Sequence, residues 1–306
     1  MINLYRLRYD YLKLEGTDRL DLINRLSTNE VKSLAKNKSV KTVLTSDKGR
    51  FIDLLWLHNF GDFVLVFCSF NNSQRVIEHL GKYTIMDDFK VTDMAGTHET
   101  ILLDGDECES FIENKFNIDS SKLDSEFVIH TFGEMHSMFV KNDDALGKYI
   151  FTFESKDKEH WNTKFSGLTE LTAEEFTAKR IENGLPAFPN EMNDSTNPLE
   201  CNLEKYISFT KGCYIGQEVI ARLDTYDKVS RHLVGVNAEE EFSFGENVKI
   251  LTDNKECGYV TSYVHSANSG HIGLGFIKTA FLNSESVYHI KTNEKIINCK
   301  IISYNK

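Results

Sequence analysis

Residues 211–222, Lys-Gly-Cys-Tyr-Ile-Gly-Gln-Glu-Val-Ile-Ala-Arg, set one thiol, Cys213, in a glycine-flanked turn ahead of a short helical run. A cysteine acts as nucleophile, redox group or soft-metal ligand through its thiolate, and a helix start favours that anion with unpaired N–H groups and a partial positive charge. Gly212 allows backbone conformations forbidden to a side chain, Gly216 does so again at the expected helix start, and Lys211 adds a cation nearby. The plain alternative is a buried cysteine filling space as a small hydrophobe. So many polar and special residues in twelve positions exceed what folding asks of a turn, and Cys213 is the expected centre of chemistry. Whether it is nucleophile, redox thiol or transient ligand of sulfur or a cluster stays open. Tyr214, Gln217, Glu218 and Arg222 form its expected surroundings, although Glu218 and Arg222, four apart, equally suit a helix pair worth about 0.3 kcal/mol.

Three more side chains have useful chemistry. Glu182 falls near an expected helix C-terminus, where the macrodipole disfavours a carboxylate, so it needs a partner or solvent. Asp53 follows a hairpin turn on the apolar stretch Phe51-Ile52-Asp53-Leu54-Leu55-Trp56, and alternation turns it away from Ile52 and Leu54. It reads equally as a ligand-facing group or a plain edge-strand aspartate. Arg231 has the planar fork that matches a carboxylate, with a surface arginine as the alternative.

The elements that must position these residues follow from periodicity. Residues 1–10 read as a first strand, and Thr17-Asp18 opens a helix with Leu22, Ile23 and Leu26 on one face. Strands follow at 40–45, 50–57 and 63–67, with turns at 46–49 and 59–62. Ser73 can cap a helix carrying Val76, Ile77 and Leu80 that Gly81 would end, and another helix carries Phe111, Ile112 and Phe116. Strands recur at 127–132, 137–140 and 149–153, and a helix is expected at 158–165. Thr172-Ala173-Glu174-Glu175 is a capping box for a helix that Gly184 stops. All three prolines, Pro186, Pro189 and Pro198, fall between that helix and Cys213, and their fixed φ angles predict an ordered, extended connection. Six short strands at 233–236, 248–251, 258–264, 272–277, 287–290 and 297–303, with turns at 244–247 and 268–270, predict a small barrel. Strand pairs alternating with helices before it indicate an α+β architecture built from split β-α-β units.

Composition narrows the function classes. The 306 residues suffice for more than one domain, and 41% apolar with 26% charged residues is ordinary for a globular protein. A net charge of −11 opposes binding to a phosphate backbone, so no direct nucleic-acid partner is expected. No apolar run approaches the roughly 20 residues of a membrane span, and the opening residues lack the apolar stretch of a secretion signal. The six cysteines show no CxxC pair and the ten histidines no ligand grouping, so no metal site and a reducing cytoplasm are expected. Cys68, Cys257 and Cys299 lie in apolar runs and read as core; Cys108 and Cys201 carry no signal.

The stretch Lys211-Gly212-Cys213-Tyr214-x-Gly216-Gln217-Glu218-x-x-x-Arg222 resembles the signature of the YgfZ family of folate-binding proteins, within the YgfZ/GcvT superfamily. Five further blocks agree in order: Glu15-Gly16-Thr17-Asp18-Arg19 with Leu26-Ser27-Thr28-Asn29-Glu30-Val31; Lys48-Gly49-Arg50-Phe51-Ile52-Asp53; Arg180-Ile181-Glu182-Asn183-Gly184-Leu185-Pro186; Pro198-Leu199-Glu200; and Gly258-Tyr259-Val260-Thr261-Ser262. The resemblance spans nearly the whole chain. It implies ferredoxin-like α+β modules of the GcvT type over 1–230, followed by a C-terminal β-barrel over 231–306, around a cavity for tetrahydrofolate. It implies that Glu182 pairs with the amino and N–H edge of a pterin, that Asp53 faces the folate, and that Arg231 lies by the folate tail. Proteins of this branch are described as tRNA-modifying, or as assembly and repair factors for iron–sulfur enzymes, so transient contact with iron–sulfur proteins is expected. The GcvT branch comprises aminomethyltransferases, which carry a second aspartate where this chain has Leu54. That difference favours the YgfZ branch, with aminomethyl transfer as the alternative, and leaves open whether a reaction is catalysed.

Overall fold

The computed structural model describes residues 1–124, 126–245, 248–282 and 286–304, which form two compact units. The first unit comprises Met1–Lys48, Ile52–Leu171 and Lys205–Gln217; the second comprises Gly49–Phe51, Thr172–Glu204 and Glu218–Lys306. Elements in chain order start with β1 (Asn3–Leu7), β2 (Tyr9–Glu15), α1 (Arg19–Leu26), β3 (Ser39–Thr45), β4 (Phe51–Asn59), β5 (Val64–Ser69), α2 (Ser73–Tyr83) and β6 (Lys90–Asp93). There follow β7 (His98–Asp104), α3 (Cys108–Phe116), β8 (Val128–Phe132), β9 (Met135–Lys141), β10 (Tyr149–Glu154), α4 (Lys158–Lys164) and β11 (Thr169–Glu170).

The first unit holds two sheets. One has the order β3-β4-β5-β2-β6, the other β11-β1-β7-β10-β9-β8. Alternation along β2 sends Leu12 and Leu14 into a core with Leu22 and Leu26 of α1 and Val76 and Leu80 of α2. The second sheet builds its core from Ile101, Phe139 and Phe151 against Ile112, Phe116 and Trp161. Each such side chain contributes about 1.5–3 kcal/mol by leaving water, so the helices are fixed by their apolar faces.

The expected single first strand is two: β1 pairs with β7 in one sheet and β2 pairs with β5 in the other, so the chain changes sheets at Arg8. Strands β6 and β7 were not legible, and β7 is central to its sheet. Gly81 does not end α2, which runs on to Tyr83 with Thr84 N–H bonded to Leu80 O, because a glycine in helical φ keeps the ladder intact. The expected helices at 17–26, 111–116 and 158–165 form as α1, α3 and α4.

In the second unit α5 (Ala173–Glu182) carries the expected capping box, Thr172 Oγ1 accepting from Glu175 N and Glu175 from Thr172 N. The proline-containing connection is not extended: it turns repeatedly, with Thr196 Oγ1 donating to Glu191 O and Asn193 Oδ1 accepting from Ser195 N, and no strand forms in it. These side chains give the backbone local partners that compete with extension. After α6 (Gln217–Thr225), six strands close a barrel: β12 (Arg231–Ala238), β13 (Lys249–Thr252), β14 (Lys255–Ser266), β15 (Gly270–Lys278), β16 (Tyr288–Lys291) and β17 (Ile296–Ile302). All six expected barrel strands are present; the expected turn at 244–247 lies partly outside the described residues. The fold class is therefore as expected, α+β with a C-terminal closed barrel.

Candidate functional site

Cys213 is exposed, and the other five cysteines are buried. Burial pushes the Cys299 thiol up to about 12 and the Cys68 thiol higher still, so neither supplies thiolate near neutrality. Cys213 stands four residues ahead of Gln217, the first residue of α6. Its loop is pinned to α1 and β3. Ile215 N donates to Arg25 O at 2.9 Å, and Thr45 Oγ1 donates to Ile215 O at 2.7 Å.

Lys211 is the main anchor and not a free cation beside the thiol. Its buried ammonium donates to Asn24 O, Ser27 O and Asn29 O at 2.7, 2.9 and 2.6 Å. These carbonyls lie at and just beyond the end of α1, where a helix leaves acceptors unsatisfied, and a lysine there is the natural partner. Burial holds its pKa down at about 8. Tyr214 is buried beneath it, its ring 5.3 Å from Lys211 Nζ. Gly216 has φ +83°, a conformation that needs glycine; Gly212 does not, and a Cβ there would meet nothing within 4 Å. Gln217 is half-buried, and Glu218 and Arg222 are exposed on α6.

Asp53 is 1% exposed. Strand β4 lies between β3 and β5, so the edge-strand reading fails. Its Oδ1 accepts from Leu54 N and Ser69 Oγ, and its Oδ2 from Ser69 N and Asn72 Nδ2, at 2.6–3.0 Å. Burial raises the carboxyl to about 6 against these donors, which pull the other way. Asp10, which the sequence did not single out, holds the start of α2 by accepting from Asn72 N and Ser73 N, both at 3.1 Å.

Glu182 is the last residue of α5 and is exposed, with Oε1 accepting from Ser266 Oγ at 2.6 Å and Ser269 Oγ at 2.7 Å. Those hydroxyls are the partners that a carboxylate needs against the helix dipole. Arg180, two residues earlier, donates to Glu191 at 3.2 Å, and Glu191 is wholly buried, also accepting from Ala187 N, Thr261 Oγ1 and Ser262 Oγ. No periodicity or motif marked Glu191; only tertiary contacts reveal it.

Arg231 donates to Tyr259 Oη at 2.6 Å, to Ser195 O at 2.5 Å and to the buried Glu200 at 3.3 Å, and lies over the Phe276 ring. Arg50 meets the same carboxylate at 3.6 Å. With Lys278, Ser230 and Ala280 they line an open recess of about 470 Å³. Arg50, Glu200 and Arg231, far apart in sequence, thus converge on one basic recess suited to an anionic group. Cys213 and Asp53 belong to the first unit, Glu182 and Arg231 to the second. Among the described residues no group of three or more His, Cys, Asp or Glu side chains is placed to hold a metal, and no helix is long and apolar enough to cross a membrane.

Residues 231–304 match the family described as the glycine cleavage T-protein C-terminal barrel domain. A chloroplastic protein of Arabidopsis thaliana that carries a transferase name is 30% identical over 280 residues, 87% of this chain and 63% of that one. The chain thus spans less than two thirds of that relative. The aminomethyltransferase of Aquifex aeolicus is 25% identical over 254 residues, 82% of this chain and 69% of its own. The crystal structure of the glycine cleavage system aminomethyltransferase T from Bartonella henselae shares the fold with a TM-score of 0.84, at 14% identity, over 99% of this chain and 85% of that one. Fold and barrel agree: the chain has a GcvT-like fold with a C-terminal closed barrel, and its sequence is similar to these transferases over most of its length.

Proposed function

We propose that the protein binds tetrahydrofolate and acts in folate-dependent one-carbon transfer. The observation that carries this reading is the basic recess at the barrel, where Arg50, Arg231 and Lys278 surround one buried carboxylate. Three cations against Glu200 leave a positive surplus, which suits the glutamyl carboxylates of a folate tail. Glu182, oriented by two serine hydroxyls on Oε1, would offer its remaining oxygen to the amino and N–H edge of the pterin. Tetrahydrofolate would supply the one-carbon acceptor; this chain's residues bind and orient it. The names of the relatives, aminomethyltransferases among them, favour this transferase reading over the iron–sulfur one.

Titration calorimetry with tetrahydrofolate tests binding, with at least about tenfold loss expected for Arg231→Ala. Turnover is tested by methylene-tetrahydrofolate formation from a saturating aminomethyl-lipoyl carrier protein. Absence of binding by the folded protein sinks the reading, and binding without turnover removes its transferase part.

A second reading, the YgfZ-type one, is favoured by a specific observation: Cys213 is exposed on an anchored loop, and Leu54 occupies the place of the second aspartate. In that reading the folate-bound protein maintains iron–sulfur enzymes in a reducing cytoplasm through transient contact with them or with assembly factors, and Cys213 is the contacting or reacting group. Iron–sulfur enzyme activities in a deletion strain decide it, because full rescue by Cys213→Ala excludes the role.

A further inference from the structure

The two sheets of the first unit each turn one face to helices, and their other faces meet around a half-open cavity of about 680 Å³. None of the residues assigned above to folate or to the thiol loop lines it. Its size falls within the range of small-molecule sites, far above a packing defect. Thr152 is one of its polar lining residues, and its Oγ1 lies 2.9 Å from Thr100 Oγ1, which in turn lies 2.8 Å from Tyr11 Oη, so these buried hydroxyls satisfy one another. One wall is aromatic, with Phe60 and Phe63 stacked at 4.7 Å and 8°. Leu65, Met94 and Met138 complete an apolar surround in which the two thioethers can adapt to an irregular shape.

The charges decide what class of molecule fits. Lys13 and Glu154 are the charged lining residues, and both are already paired: Lys13 Nζ lies 2.8 Å from Glu15, and Glu154 lies 2.6 Å from Lys156. Each is thus largely compensated and offers an ionic ligand little unbalanced charge, whereas a neutral ligand needs none. His98 is bonded through Nδ1 to Thr97 Oγ1 at 2.7 Å, and burial lowers its pKa, so it stands as a neutral hydrogen-bonding group.

We infer that this inter-sheet cavity is a second binding site, separate from the basic recess, for a neutral planar aromatic molecule held against the Phe60–Phe63 wall. The inference does not rest on the folate reading.

Fluorescence titration with the neutral probe N-phenyl-1-naphthylamine tests it, with anionic 1-anilinonaphthalene-8-sulfonate as the charged comparison. Thr97 and Ile129 line the cavity and are exposed, so Thr97→Trp and Ile129→Trp plug the mouth without entering a core. The expected result is one neutral probe per chain, bound at least about tenfold more tightly than the anionic one, and at least about tenfold weaker in both variants at unchanged melting temperature. Equal affinity for the two probes, more than one probe per chain, or full binding by both folded variants overturns the inference.

Discussion

Asp53 should leave a measurable mark on the pH dependence of stability. Its carboxyl is 1% exposed and titrates at about 6, against an ordinary value of 3.8. The folded state therefore holds this proton more tightly than the unfolded chain does. Between these two values the native state binds more protons, so stability falls as pH rises through the window and levels off above about 6. The full difference is about 3 kcal/mol, of which about 2 kcal/mol lies between pH 4.5 and pH 7.5. Asp53→Asn removes the titration while keeping the shape. The new amide fits best in the place of Oδ1, where Ser69 Oγ can turn to accept and only Leu54 N–H loses its partner, a cost of about 1–2 kcal/mol. Urea unfolding of both proteins at several pH values isolates the effect, because every other carboxylate cancels in the difference. The wild-type protein should lose about 2 kcal/mol relative to the variant from pH 4.5 to pH 7.5. Parallel curves would refute the assignment of this proton to Asp53.

Lys211→Met should destabilise the protein by about 2–4 kcal/mol in urea unfolding, because three carbonyls at the end of α1 lose a charged donor, while Cys213→Ser changes it by less than about 0.5 kcal/mol. Brief iodoacetamide treatment of the native protein should label one cysteine, Cys213, and denatured protein all six, as read by mass spectrometry. Glu191→Ala should lower stability by about 3–5 kcal/mol, since Arg180 is left as an unpaired buried cation; thermal unfolding measures it. Gly235→Ala places a Cβ 2.3 Å from Tyr304 Oη, which itself donates to Ile181 O. The variant should cost about 1–3 kcal/mol in the same thermal assay, and Tyr304→Ala in the same chain should make that substitution nearly neutral.

The sequence by itself determined what depends on near neighbours. The capping box at Thr172, the apolar stripes of α1 and α3 and the six barrel strands were legible because 3.6- and 2-residue periodicities record which face is buried. The ordered blocks around Cys213, Glu182 and Asp53 carry the superfamily resemblance for a similar reason, since short stretches preserve type and spacing. Tertiary structure alone decided where those side chains point. The sequence offers Lys211 as a cation near the thiol, but three carbonyls from residues 24–29 claim it. Asp53 reads from the sequence equally as a ligand-facing group or an edge-strand aspartate, but β4 is not an edge strand, and enclosure by β5 and the start of α2 raises the carboxyl's pKa. No local pattern marks β7 as central, because that position comes from pairing with β1 and β10, far away in sequence. Hydrogen-bond partners and desolvation come from residues dozens to hundreds of positions distant, and no local pattern along the chain carries that information.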